Sequence, residues 1–259
     1  MKVLTRFLTK FQKTTLDINP SIVSIPIDGE FEHFIDMEIL HLSDLHINKK
    51  TTLNEFQNLI HTINATKVDF VVLTGDLIDT KISNITEILL ELKNIQHKTY
   101  FVSGNHDIFY GYYELLKILK TCNIQILDNK YLTLEYNKKE FVLAGLSDKF
   151  SKYFKIQRDE QTLINQLQDT NNFKIFLAHQ PKDYLYALKS HAQLFLCGHT
   201  HGGQIYPFHY LVRLVQPFLS GLHFVKNLAI YVNKGIGTWG IGYRLYAQSE
   251  LTIIKLTKK

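Results

Sequence analysis

The sequence predicts an α/β protein, and three observations point there. Short apolar runs of strand length alternate with segments whose apolar residues recur at helical spacing. Five polar runs, SDLH, TGD, SGNHD, AHQ and CGHTH, each follow directly on a predicted strand. No repeat, low-complexity tract or Pro/Ser/Gly-rich linker interrupts the 259 residues. Residues 1–259 therefore read as one domain, and 45% hydrophobic residues suffice for one large core.

In chain order, residues 37–43 (MEILHLS) read as a strand, and residues 52–64 place Leu53, Phe56, Leu59, Ile60 and Ile63 on one helical face. Val68–Leu73 is a second buried strand, followed by a helical pattern at Ile85, Ile88, Leu89, Leu92 and Ile95. Lys98–Val102 is another strand, and residues 111–121 read as a helix. Tyr131–Tyr136 and Glu140–Ala144 form a hairpin turning at Asn137 and Lys138. A helix near 158–168 precedes the strand Phe173–Ala178; residues 181–189 form a helix and Gln193–Cys197 a strand. Two strands, Leu228–Asn233 and Glu250–Leu256, close the chain. In open α/β sheets, sites form beyond the carboxyl ends of strands, so the five polar runs are expected to converge on one rim.

Those runs carry metal-binding chemistry. A hard or borderline divalent ion takes carboxylate oxygens and imidazole nitrogens at about 2.0–2.2 Å. Asp44 and His46 offer one of each at a strand end, and Asp76 follows a glycine that lets the chain turn sharply. Asn105 adds a neutral oxygen, and His179, His199 and His201 add imidazoles. Seven ligands exceed one tetrahedral site and suit two ions sharing Asp76. Such a pair clamps a phosphoryl group and brings a bridging water to a pKa of about 7, ready to attack phosphorus in line. His106 is left to assist the leaving oxygen, with Asp107 orienting its ring or raising its pKa.

The ordered set Asp44-x-His46, Gly75-Asp76, Gly104-Asn105-His106-Asp107, His179 and Gly198-His199-Thr200-His201 resembles the signature of the calcineurin-like metallophosphoesterases. Alone, GD or DxH is nearly uninformative; five blocks in order over residues 44–201 are very specific. The resemblance implies a four-layer α-β-β-α sandwich of two mixed sheets flanked by helices. It implies that Asp44, His46, Asp76 and His201 hold one metal, that Asp76, Asn105, His179 and His199 hold the second, and that His106 is the general-acid or transition-state histidine. LSDLH, GHTHGGQIYPF and the segment from Gly235 through Gly237 and Gly240 to Arg244 are similar to the YkuE-like bacterial phosphodiesterases, a branch with membrane-linked members. Pyrophosphohydrolases of UDP-diacylglucosamine are more loosely similar.

Outside these blocks, readings divide. Asp79 supports the metal shell or caps the next helix. Arg244 binds a substrate phosphate, for which guanidinium is shaped, or makes a structural ion pair. Asp148 and Gly145 border the cleft or end a strand, and Cys197 reads as a small buried residue. Seven of the twelve histidines, including His41, His209 and His223, lie outside the motifs and default to structural roles. His41, in a buried strand, is expected to satisfy a core hydrogen bond. Residues 205–224 (IYPFHYLVRLVQPFLSGLHF) form an apolar segment beside the active site, either packed in the core or serving as a lip for an acyl chain or membrane. Residues 1–13 read as a basic amphipathic helix, with Val3, Leu4, Phe7, Leu8 and Phe11 on one face, that meets anionic lipid or packs on the core.

Composition sets limits. A net charge of +5 is mild, and without a basic stripe no nucleic-acid partner is expected. Two cysteines without a Cys-x-x-Cys pair fit a reducing compartment. The N-terminus lacks the apolar core of a signal peptide, and no stretch approaches the roughly 20 apolar residues of a membrane span. The expectation is a bacterial cytoplasmic enzyme, peripheral on the cytoplasmic membrane. It would hydrolyse a phosphodiester or pyrophosphate bond of a lipid-linked or nucleotide-sugar-lipid headgroup with two divalent ions (Mn, Fe or Zn). The alternatives are a soluble nucleotide or cyclic-nucleotide phosphodiesterase and, less favoured, a nuclease or non-catalytic binding module.

Overall fold

A computed structural model of the chain describes residues 11–13, 16–27 and 29–259. In chain order its strands are β1 (Phe11–Lys13), β2 (Ser21–Ile27), β3 (Glu38–Leu42), β4 (Phe70–Leu73), β5 (Thr99–Phe101), β6 (Gln125–Ile126), β7 (Lys130–Tyr136), β8 (Lys139–Gly145), β9 (Phe173–Leu177), β10 (Leu194–Cys197), β11 (Gly221–Val225), β12 (Leu228–Val232), β13 (Tyr243–Leu245) and β14 (Thr252–Lys258). Its α-helices are α1 (Leu53–Ala65), α2 (Thr86–Leu90), α3 (Asn105–Thr121), α4 (Glu160–Gln168), α5 (Tyr184–Lys189) and α6 (His209–Val215).

Two mixed six-stranded sheets result, ordered β2-β14-β3-β4-β5-β6 and β11-β12-β10-β9-β8-β7, with β1 and β13 paired as a separate ribbon. The strands that carry the polar runs are parallel to one another: β3, β4 and β5 in the first sheet, β9 and β10 in the second. Both faces of these strands are covered, so β4 (FVVL) is buried at all four positions. Phe70 and Val72 point between the sheets, where they join Ile39, Phe141, Phe173 and Leu196. Val71 and Leu73 point the other way, onto Phe56, Leu59 and Ile63 of α1. On the far side, Leu163 and Leu167 of α4 and Ala187 of α5 cover Phe176 and Phe195. The layers are therefore helix, sheet, sheet, helix, as the resemblance implied.

Local signals explain most boundaries. A capping box, Thr52 with Glu55, starts α1. Asn137 and Lys138 both have positive φ, which suits the tight turn between β7 and β8. The expected helix across 85–95 is instead α2 flanked by 3-10 turns at Ile82–Asn84 and Glu91–Asn94. Ile85, Leu89 and Leu92 still reach the core, because either helix type keeps them on one side. The helix expected at 111–121 starts at Asn105, since Asp107 accepts the Gly104 N–H and caps it from within; Gly111 (φ 143°) then breaks it.

Residues 1–10 of the expected N-terminal helix lie outside the described residues. Phe11–Lys13 are not helical but pair antiparallel with Tyr243–Leu245. Within the apolar segment 205–224, Phe218 and Leu222 pack against the core, but α6 does not: none of its seven residues is buried. No helix among the described residues is long and apolar enough to cross a membrane.

Candidate metal centre

The five polar runs meet where the carboxyl ends of the two sheets face each other. Backbone hydrogen bonds lace the runs together: Asp44 N–H donates to Gly75 O, His46 N–H to Asp76 O, and Gly198 N–H to His179 O. Asp44, His46, Asp76, His199 and His201 all have φ between 48° and 73°. Non-glycine residues rarely occupy this region, at a cost on the order of 1 kcal/mol each, and such strain concentrates at functional sites. Two glycines make room. A Cβ on Gly198 would lie 1.9 Å from Ser43 Oγ, and one on Gly104 would lie 2.2 Å from Asp76 Oδ1.

The predicted ligands gather into two clusters, Asp44 with His46 and His201, and Asp76 with His179 and His199, and a third group of metal-capable side chains, His46 with Asp79 and His106, lies beside them. In the first, His46 Nε2 and His201 Nε2 are 3.0 Å apart. Oδ2 of Asp44 accepts the Ser43 hydroxyl and the His199 N–H, which also reaches Oδ1 at 3.2 Å, and Oδ1 faces His201 Nε2 at 3.3 Å and His46 Nε2 at 3.9 Å. In the second, His179 Nε2 and His199 Nδ1 are 3.1 Å apart. His179 Nδ1 donates to Thr74 O at 2.8 Å, which turns its Nε2 inward, the arrangement found behind metal-ligating imidazoles. Asp76 stands between the clusters: Oδ1 accepts the His106 N–H, while Oδ2 lies 3.6 Å from His46 Nε2 and 3.2 Å from His179 Nε2.

This donor set fits divalent cations. Two pairs of imidazole nitrogens face one another across buried space, and Asn105 Oδ1 is buried without a hydrogen-bond partner. A buried acceptor of that kind needs a partner, which a cation supplies. Burial alone would push the Asp44 and Asp76 carboxyls up, but His201 and His179 respectively reverse this and hold both well below the usual carboxylate range. Burial pushes His199 down to about 3 and His201 to about 4, whereas at His179 the charges of Asp76 and Asp44 overcome burial and hold the ring well above the ordinary histidine value, so an ion bound there takes the place of its proton.

His106, with its side chain 23% exposed, lies at the open side. Its Nδ1 is 2.7 Å from Asp79 Oδ1. Burial opposes charge on this ring, yet the Asp79 hydrogen bond and the charge of Asp76 hold its pKa above the ordinary histidine value. The hydrogen-bond partner is therefore Asp79, while Asp107 contributes only its charge, which also raises the pKa of the ring. Asp107 is fully buried and accepts the N–H groups of Leu77, Ile78 and Gly104, so it has no bond to the imidazole next to it.

Arg244 is also corrected. It is 2% exposed, and its donors are taken by carbonyls of Lys234, Gly235, Gly237, Ala247 and His201 and by His201 Nδ1 at 3.1 Å. No N–H remains for a substrate phosphate. Arg244 is instead the buried peg on which the Gly235–Gly237 loop and His201 hang. Of the other readings, His41 bonds Thr74 Oγ1 at 2.8 Å inside the core. Cys197 is buried, and Asp148 caps the turn that follows it by accepting the Phe150 N–H. Sequence reasoning passed over Gln204, whose only signal is its place after Gly202-Gly203.

The profile of the calcineurin-like phosphoesterases matches residues 37–203. An uncharacterized metallophosphoesterase of Helicobacter pylori is 36% identical over 230 residues, covering 86% of this chain and 60% of its own length. The chain thus spans about three fifths of that curated relative. The uncharacterized metallophosphoesterase YkoQ of Bacillus subtilis is 29% identical over 266 residues, 96% of this chain and 94% of its own. Among solved structures, the 5′-nucleotidase precursor of Thermus thermophilus aligns with a TM-score of 0.52 at 12% identity, covering 83% of this chain and 55% of that one, a likeness of fold alone.

Proposed function

This chain belongs to the calcineurin-like phosphoesterase family of metal-dependent phosphoric ester hydrolases, and from that premise we propose that it cleaves a phosphodiester or pyrophosphate bond at two divalent ions. The observation that carries the reading is Asp76 Oδ2, set between the imidazoles of the two clusters. Asp44, His46, His201 and Asp76 would hold one ion; Asp76, Asn105, His179 and His199 would hold the other. Mixed imidazole and oxygen ligation suits Mn, Fe or Zn. When bound, the ions supply Lewis-acid polarisation of the phosphoryl group and an acidified water as nucleophile.

The chain's own residues do the rest. Asp79 takes the Nδ1 side of His106, so the exchangeable proton sits on Nε2, where it passes to the leaving oxygen. Asp79 also opposes loss of that proton through its charge. Ser43 and the His199 N–H fix Asp44, and Thr74 O fixes His179, so the ligands are oriented before any ion arrives.

The favoured substrate is a lipid-linked phosphoester, a reading supported by the exposed apolar segment beside the centre, with contact at the surface of an anionic membrane. The test is hydrolysis by the manganese-loaded protein of bis(nitrophenyl) phosphate against nitrophenyl phosphate. The diester is expected to be cleaved faster. A clear monoester preference would reassign the protein to phosphatase chemistry.

A further inference from the structure

Beside the metal centre, α6 and the turn Trp239–Ile241 enclose an open groove of about 500 Å³. Phe208, Leu211, Val212 and Val215 form one wall, Trp239 and Ile241 the other, and Thr200 and Gly203 the floor. Phe208, Leu211, Val215, Trp239 and Ile241 stand 55–60% exposed, an unfavourable display of apolar surface. Thr200 lies between His199 and His201, so the floor is continuous with the ligand loop. The polar groups here are already engaged. Thr200 Oγ1 donates to Leu219 O. Gln204, itself 7% exposed, donates from Nε2 to Trp239 O and Ile241 O at 3.0 Å each and accepts the Trp239 N–H on Oε1. Its own N–H donates to His201 O. One amide thus ties the Trp239–Ile241 wall to the ligand loop as a rigid unit.

We propose that this groove is the acyl-chain site of the substrate, and that Gln204 is a positioning residue that sets its second wall and so selects acylated over short-chain phosphoesters. A sugar or base would find its hydrogen-bonding needs unmet, whereas a hydrocarbon chain needs only the apolar walls. The continuity of floor and ligand loop lets a chain in the groove deliver its phosphate to the centre. The inference rests on the phosphoesterase reading above, but its ligand site can be tested without turnover.

Trp239 is the one tryptophan of the sequence, so its emission reports the groove directly. The metal-free, full-length protein is titrated with lysophosphatidylglycerol below its micelle concentration, with glycerophosphoglycerol as the chain-free control. Wild type is expected to show a blue shift with the lipid alone, and quenching when the chain carries bromine. Ile241→Asp should weaken this binding at least about tenfold, the loss of one buried aliphatic side chain. Gln204→Ala should lower the ratio of kcat/KM for lysophosphatidylglycerol over glycerophosphoglycerol by a similar factor. Should Gln204→Ala fail to fold, Ile241→Asp, at an exposed position, carries the test. No emission change in wild type, with both diesters cleaved equally, overturns the acyl site and leaves the hydrolase reading intact. A lipid response without hydrolysis of any ester does the reverse. Emission that shifts with protein concentration, or turns red on deletion of residues 1–10, shows the groove filled by a second copy or by the chain itself, and also overturns the proposal.

Discussion

Asp79 Oδ1 lies 2.7 Å from His106 Nδ1, joining the loop after β4 to the first turn of α3. His106→Ala is expected to keep both metals by elemental analysis while kcat falls about 10²–10⁴-fold. The fall should be smaller for a nitrophenyl than for an alkyl leaving group. Asp79→Asn should show the same leaving-group dependence with a smaller loss, and should add little in the His106→Ala background. Equal losses for both leaving groups would leave His106 stabilising charge and not donating a proton.

Asp76→Ala should empty both sites, because its Oδ2 faces both clusters. His46→Ala should deplete mainly the site of Asp44 and His201. Two ions per chain in purified Asp76→Ala would rule out the shared carboxylate.

Arg244→Met removes a donor from five carbonyls and leaves those of Lys234, Gly237 and Ala247 without one, since His201 O keeps the Gln204 N–H and Gly235 O the Glu250 N–H. Unpaired buried acceptors cost about 1–3 kcal/mol each, so unfolding in urea should show a loss of at least about 3 kcal/mol. Unchanged stability with a raised KM would restore Arg244 as a substrate ligand.

Asp107→Ala leaves the N–H groups of Leu77, Ile78 and Gly104 without their acceptor. A loss of about 2–4 kcal/mol is expected, again by urea unfolding. The leaving-group dependence of the remaining activity should match wild type, unlike that of His106→Ala.

The fold was most legible where apolar runs are buried on both faces, as in β3, β4, β9 and β10, and where a helix has one apolar stripe, as in α1. Strands with weaker patterns escaped: β2 carries Pro26 on a sheet edge, and β6 has two residues. The ligand set was legible because residue type and position after a strand together specify it. Partner choice was not. Asp107 is next to His106 in sequence, but neighbours on a helix point in different directions, and the carboxylate that reaches the ring comes from another loop. Arg244 looked available because a sequence does not show which donors the backbone has already claimed.

The candidate ligands come in two instalments. Asp44, His46, Asp76 and Asn105 follow strands of the first sheet, while His179, His199 and His201 follow strands of the second. A nascent chain therefore exposes half a coordination sphere, two carboxylates, an amide and one imidazole, well before the three imidazoles of the other half are made. Capture of ions must then be a late event of assembly, after the sheets have met. It would also act as a clasp across their seam, binding the folded form alone. Stripping the metal should accordingly loosen the seam between the sheets before it loosens either sheet, a difference that amide hydrogen exchange can read strand by strand.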